Sequence, residues 1–332
     1  MEHPARFIHV RLGKCASTYL QSVWGVDENY VSINSAPIVR ALRERAEKSA
    51  RDIIQIGAPA AQAGKTTILT SEGFSWGWIN GTGGREAVRN LRQIAAASFA
   101  RSNLSGQVFI MVRDPIDWLR ALHEQSIKEG GHHSYKVYMG HKKALALATL
   151  DLVHLIQVHR DSGHKVVILS ADELRQAPTR FWAKYTDALG APPPSASAIS
   201  QVEKREFSGN VSLKERLPYL ASLNRHSVRL GACFDGLAKY PAIFGAEYES
   251  LKPAATKSWI WINRRVAEFA QQSELKALID SPEDAATFQD VFVSEDMVRH
   301  IEERFILPLA AEATIDRALI DRYRQSLEQR RR

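Results

Sequence analysis

The sequence has 332 residues, of which 45% are hydrophobic and 24% are charged, and this composition predicts a globular protein with a sizeable core. A formal net charge of +7 favours an anionic partner, although charge alone does not separate a nucleotide from a nucleic acid or a membrane. Two cysteines, Cys15 and Cys233, allow at most one disulfide. The chain lacks a secretory signal pattern and an apolar run near the roughly 20 residues of a membrane span. We therefore expect a reduced, cytoplasmic setting without a membrane span.

The first predicted elements form a strand and a helix joined by a tight turn. Residues 7–10 are mainly apolar and predict a buried strand, Gly13 marks the turn, and a helix begins at Ser17. Such a turn points backbone N–H groups and the positive end of the helix at one spot, which attracts an anion such as phosphate. Lys14 adds a cation there, and the hydroxyls of Ser17 and Thr18 add donors.

The rest of the chain alternates between helical and extended patterns as far as residue 190. In chain order we predict a helix over 36–52, a strand over 66–71, a helix over 85–101, a strand over 108–112, a helix from 115 to about 129, a helix over 144–161, a strand over 165–170 and a helix over 178–189. This alternation predicts an α/β fold, a parallel sheet flanked by helices. We expect residues 1–200 to form this core and residues 201–332 to form a mostly helical extension packed on it.

Three polar side chains lie just past the ends of predicted strands. They are Lys14, Glu72 and Arg113. Because the carboxyl ends of parallel strands meet at one edge of a sheet, where ligands bind, we expect these side chains to lie close together. A guanidinium forks onto phosphate oxygens, so Arg113 suits a second phosphate. The alternative for Arg113 is a salt bridge to Asp114 or Asp117.

The loop does not follow the nucleotide-hydrolase pattern G-x-x-x-x-G-K-[ST], because Cys15 follows Lys14 and isoleucine stands where the first glycine belongs. It resembles instead the phosphosulfate-binding loop of sulfotransferases, whose bacterial members often have H-I-G-x-x-K-T-G-[ST]-T-x-L-Q. The residues in register are His9, Leu12, Lys14, Ser17, Thr18, Leu20 and Gln21. The departures are Arg11, Cys15 and Ala16, and an alanine at position 16 would be strained if the loop needs a positive φ there. An ordinary strand–helix turn with a capping serine is the alternative.

Two further segments carry the same resemblance. Arg113-Asp114-Pro115 matches the R-x-P that follows a strand in sulfotransferases, where a serine eight residues later joins the arginine on the 3′-phosphate of the donor. Here that position is Ala121, which has no hydroxyl, although Gln125 retains the glutamine that bacterial relatives often have. Asp172-Glu173-Leu174 and Leu189-Gly190 also fit the family, so the resemblance covers the first two-thirds of the chain.

The resemblance implies an enzyme that moves a sulfuryl group from 3′-phosphoadenosine 5′-phosphosulfate to a hydroxyl or amine acceptor, a carbohydrate being one candidate. The resemblance implies that this enzyme requires no metal and no nucleic-acid partner. Lys14 would stabilise charge on the departing phosphate and Glu72 would accept the acceptor's proton, with His123 as the rival base. The residues that would bind the donor are Gly13, Lys14, Cys15, Ala16, Ser17, Thr18 and Arg113.

Two other functions stay open. A phosphotransferase or other nucleotide-binding enzyme could use the same loop with a magnesium-binding carboxylate after a strand, for which Asp114 is available. A non-enzymatic descendant of the fold that binds a nucleotide or partner is favoured by Ala16 and Ala121. Trp76 and Trp78 could stack on a ring of the substrate or simply pack in the protein.

Overall fold

The structure of the protein is a computed structural model. It describes residues 6–33, 35–46, 53–56, 64–75, 84–102, 106–128, 133–206 and 291–331. Trp76, Trp78 and Cys233 lie outside these described residues, as does almost all of the predicted extension before residue 291.

The described strands form one parallel sheet of five, in the order β2-β3-β1-β4-β5. The strands are β1 Arg6–Arg11, β2 Tyr30–Ile33, β3 Thr66–Ser71, β4 Gln107–Val112 and β5 Lys165–Ser170. The connection that leaves β1 runs towards the β2 edge, and the connection that leaves β4 runs towards the β5 edge. The neighbours β1 and β4 therefore flank the point where the chain changes direction, which is where open parallel sheets place their ligands.

Helices flank this sheet, which confirms the predicted fold class. They are α1 Ser17–Val26, α2 Ala36–Ala46, α3 Gly84–Arg101, α4 Pro115–Lys128, α5 Tyr135–Leu150, α6 Leu152–Asp161, α7 Ala171–Gln176, α8 Pro178–Leu189, α9 Ala196–Glu206, α10 Glu295–Ile301, α11 Leu307–Ala310 and α12 Arg317–Gln329, with a π-helical segment Glu302–Ile306 between α10 and α11. Helix α1 packs on α9, whereas α3 packs on α2 and α6.

One predicted helix differs from the structure, and one strand of the sheet was not predicted. The helix predicted over 144–161 is wrong, because α5 ends at Leu150 and α6 begins at Leu152. Asp151 separates them by capping α6: its Oδ1 accepts the His154 N–H at 3.1 Å, and Arg304 binds both carboxylate oxygens at 2.9 and 3.1 Å. Strand β2 was not predicted, since it has only four residues and lies at the edge of the sheet.

The core of the sheet includes polar residues as well as apolar ones. His9 of β1 is fully buried, its ring stacks on Phe109 of β4 at 4.8 Å between centroids, and it meets Trp24 of α1 edge-on at 5.1 Å. Its Nδ1 lies 3.0 Å from the Thr70 hydroxyl of β3. This imidazole therefore packs three central elements together, and the aromatic contacts make it part of the core.

The chain divides into two compact units. The larger unit comprises residues 1–118, 142–206 and 293–332 and contains the sheet, and the smaller unit comprises residues 119–141 and 207–292. The domain boundary proposed near residue 200 stays a prediction. None of the helices in the described part of the chain combines the length and apolar character that a membrane crossing needs.

A buried histidine gives the larger unit a specific dependence on pH. His159 of α6 is fully buried against Phe99, neither ring nitrogen has a hydrogen-bond partner among the described residues, and burial lowers its pKa to about 3. Because the unfolded chain binds this proton near pH 6.5, the stability contribution is complete above that pH and is lost as the pH falls towards 3. Between pH 7 and 5 this group should cost about 2 kcal/mol of unfolding free energy.

His159→Leu should therefore make the fall in unfolding free energy between pH 7 and 5 shallower by about 2 kcal/mol. Urea denaturation at both pH values measures this difference. An equally steep fall in the variant would show that His159 is not the group responsible.

Candidate active site

The turn between β1 and α1 adopts a backbone conformation that side chains rarely take. Lys14 has a φ of 66° and Ala16 a φ of 54°, and both are left-handed. Helix α1 begins directly after Ala16, which provides no side-chain cap. The sequence analysis expected strain at position 16 if φ were positive there, and φ is positive in the structure. A left-handed residue with a Cβ destabilises the folded state by on the order of 1 kcal/mol.

Ala16→Gly should raise the unfolding free energy by about 0.5–1 kcal/mol, because glycine adopts this φ without strain, although it gains entropy in the unfolded chain. Urea denaturation gives the difference directly. The matched variant Ala144→Gly, at an exposed position within α5, should instead lose about 1 kcal/mol. Equal destabilisation by both substitutions would contradict the strain at Ala16.

The segment that follows β4 holds this turn through its backbone carbonyls. The Arg113 guanidinium donates from Nη1 to the Lys14 carbonyl at 3.0 Å, and the Trp118 indole donates to the Gly13 carbonyl at 2.6 Å. The N–H of a trans peptide points opposite to its C=O, so the N–H groups of Lys14 and Cys15 face away from these two side chains. The turn therefore presents backbone donors on the side opposite the β4 segment.

Arg113 keeps donor capacity beyond this contact. Its side chain is 15% exposed, and its Nε is buried without a hydrogen-bond partner among the described residues. Among the described acidic side chains it approaches Asp117, with 3.8 Å between Nη2 and Oδ2, which is long for an ion pair with a hydrogen bond. A buried Nε without a hydrogen-bond acceptor is costly on its own, and an anionic ligand would offset that cost.

Asp114 has a structural role in the same segment. Its Oδ1 accepts the N–H groups of Ile116 at 2.8 Å and Asp117 at 3.1 Å, which caps α4. Burial raises the pKa of Asp114, although the backbone hydrogen bonds oppose that shift. The sequence raised a salt bridge from Arg113 to Asp114 or Asp117 as an alternative. Among the described contacts, Asp114 forms no salt bridge with Arg113, whereas Asp117 lies at long range from it.

Glu72 begins the short 3₁₀ turn that ends β3. Val10 pairs with Ser71 and Arg11 pairs with Met111, so the backbone of Glu72 lies at the level where β1 and β4 end. The turn lies close to α2, since a Cβ added to Gly73 would clash with the Val39 side chain. The backbones of Lys14, Glu72 and Arg113 thus follow three adjacent strands at one edge; the structure does not describe the Glu72 side chain.

The other predicted site residues have different surroundings. Cys15 is fully buried with its thiol 3.8 Å from the Gly13 carbonyl, so it can serve an anion through its backbone N–H. Thr18 is exposed, and the side chain of Ser17 lies outside the described part of the chain. Among the described side chains of the turn, Thr18 is therefore placed to meet a ligand in solvent, and the role of Ser17 stays a prediction.

His123 belongs to the smaller unit. It is buried there, its Nε2 lies 2.9 Å from the His133 carbonyl oxygen, and its ring meets Tyr135 edge-on at 5.6 Å. Burial lowers its pKa, and the contact with the His133 carbonyl opposes that shift. These contacts are those of a packed histidine, and its role as a base stays a prediction.

The sequence analysis missed the contact of Trp118 with the turn. The available signal was chemical, since a buried indole N–H normally finds an acceptor. The described residues contain no group of three or more His, Cys, Asp or Glu side chains arranged to hold a metal ion.

No protein-family model matches this sequence, and no curated protein matches it. Among solved structures, the chain is similar to a sulfotransferase from Alicyclobacillus acidocaldarius, with 11% sequence identity and a TM-score of 0.39. The similarity covers 68% of this chain and 93% of that one. A likeness this distant carries no argument about function, so the inferences below depend on the residues already described.

Proposed function

We propose that this protein is a sulfotransferase that uses 3′-phosphoadenosine 5′-phosphosulfate. The observation that carries the proposal is the contact between Arg113 and the Lys14 carbonyl, at the point where the connections that follow β1 and β4 run in opposite directions. It brings a guanidinium with an unused donor beside a turn whose backbone N–H groups and helix end favour an anion. Two anion-binding groups at one sheet edge suit a donor with phosphates on both its 3′ and 5′ positions.

Each residue has a defined task in this reaction. The backbone N–H groups of the turn and Lys14 would bind the 5′-phosphate, and Arg113 would bind the 3′-phosphate. An acceptor oxygen or nitrogen attacks the sulfur in line, the bond from sulfur to the 5′-phosphate oxygen breaks, and adenosine 3′,5′-bisphosphate leaves. Glu72 would take the acceptor's proton, and Lys14 would neutralise the charge that develops on the leaving phosphate.

The surroundings of Asp114 favour sulfuryl transfer over magnesium-dependent phosphoryl transfer at this site. One oxygen of this carboxylate already accepts two backbone N–H groups, and the side chain is 7% exposed. A magnesium ligand in a nucleotide enzyme instead faces the phosphates and water. Asp114 would have to leave the N-terminus of α4 to serve in that way.

Thermal shift with two ligands tests the proposal. Adenosine 3′,5′-bisphosphate should raise the Tm in a saturable manner, and ATP with magnesium should raise it less at equal concentration. A larger shift with ATP and magnesium would overturn the proposal in favour of a phosphotransferase. Binding of the bisphosphate without transfer of labelled sulfate to any acceptor in a broad panel of sugars, phenols and amines would favour a binding protein.

A further inference from the structure

A chain of buried hydrogen bonds connects the last helix of the protein to the segment that carries Arg113. It begins at Tyr323 and Ser326, which lie one turn apart on α12 and more than 200 residues after Arg113 in the sequence. All its members belong to the larger unit. No motif in the sequence pointed to these two residues.

The first link passes through Asp172 at the start of α7. The Tyr323 hydroxyl donates to Asp172 Oδ2 at 2.7 Å, and the same oxygen accepts the Asp114 N–H at 2.7 Å. Ser170 Oγ lies 2.9 Å from the Tyr323 hydroxyl and completes its hydrogen bonds. Tyr323 is fully buried and Asp172 is 5% exposed, so water does not replace a lost partner easily.

The second link reaches the carboxylate of Asp114. Ser326 donates to Asp114 Oδ1 at 3.2 Å, the same oxygen that caps α4 through the N–H groups of Ile116 and Asp117. Helix α12 therefore contacts the segment on both its backbone and its capping side chain. Arg113 directly precedes Asp114 in the sequence, so a displacement of the Asp114 backbone also displaces the backbone of Arg113.

We propose that Tyr323 and Ser326 are positioning residues that set the place of Arg113 and, through it, of the turn at Lys14. This inference rests on the proposed function for its catalytic consequence. Removing the Tyr323 hydroxyl leaves the Asp114 N–H as the remaining donor to Asp172 Oδ2 within this series of hydrogen bonds. The Asp172 carboxylate is then held less firmly, and the turn between β4 and α4 gains freedom to move. The affinity for the donor then falls because Arg113 is no longer preorganised in its binding position.

Tyr323→Phe and Ser326→Ala test the inference, with Tyr185→Phe as the matched control. Tyr185 is also fully buried, but its hydroxyl lies 3.3 Å from that of Tyr30, away from this chain of contacts. Hydrogen exchange without any ligand should be about tenfold faster at the Asp114 amide in Tyr323→Phe, because the acceptor of that amide, Asp172 Oδ2, is no longer held by the tyrosine hydroxyl. Tyr185→Phe should leave this amide unchanged.

Kinetics supply the readout that a merely structural role would not move. In both α12 variants KM for the donor should rise about tenfold with kcat within about twofold, because binding is impaired and the chemical step is not. Unchanged exchange at Asp114 in Tyr323→Phe, or faster exchange with an unchanged donor KM, would overturn the inference. If the wild-type protein transfers no sulfuryl group, the proposed function fails, and the exchange measurement still decides whether α12 positions this segment.

Discussion

Lys14→Ala is expected to lower kcat for sulfuryl transfer about 10³-fold, because the ammonium group stabilises charge that appears on the leaving phosphate only in the transition state. Lys14 has a φ of 66°, so a glycine there would also remove backbone strain. Alanine is the informative replacement because it removes the ammonium group and keeps the Cβ. Transfer of labelled sulfate under single-turnover conditions measures the chemical step directly.

The control for this variant is Lys14→Arg, which retains the charge and should keep a larger part of the rate. Circular dichroism and the Tm should be close to those of the wild type in both variants. An unchanged kcat in Lys14→Ala would remove this side chain from the mechanism.

Arg113→Met should weaken binding of adenosine 3′,5′-bisphosphate about 10- to 100-fold, the usual effect of losing hydrogen bonds to a charged group. Binding of adenosine 5′-phosphate should fall less, because that ligand has no 3′-phosphate and is affected only through the contact by which Arg113 holds the Lys14 turn. The wild type should therefore prefer the bisphosphate, and the variant should not. Titration calorimetry with both nucleotides measures the preference.

Arg160→Met is the control, because Arg160 is an exposed arginine that pairs with Glu312 at 2.8 Å outside the candidate site. It should bind both nucleotides as the wild type does. A variant at position 113 that loses affinity equally for both nucleotides would contradict the assignment of Arg113 to the 3′-phosphate.

The sheet could be predicted from sequence where strands are apolar and long. Residues 108–112 of strand β4 form an uninterrupted apolar run that ends at Arg113, and this pattern indicates burial on both faces. Strand β2 has an exposed Ser32 and four residues, so no periodicity distinguished it from a loop. Asp151 divided a continuous helical pattern because it is buried among arginines from distant elements, which local periodicity cannot reveal.

The candidate site could be predicted in part for the same physical reason. Lys14, Glu72 and Arg113 follow strands, and parallel strands end at one edge, so their shared level in the sheet was predictable from order alone. The contact of Trp118 with Gly13 and the contacts of Tyr323 depend on packing between distant segments, and no local pattern encodes them. The sequence could raise a positive φ at Ala16 only as a condition, because alanine rarely adopts that conformation.

A crystal structure with adenosine 3′,5′-bisphosphate tests the central claim most directly. The account predicts the 5′-phosphate on the backbone N–H groups of residues 14–18 and the 3′-phosphate within hydrogen-bond distance of Arg113. A nucleotide bound elsewhere, or one whose 3′-phosphate lies away from Arg113, would contradict it.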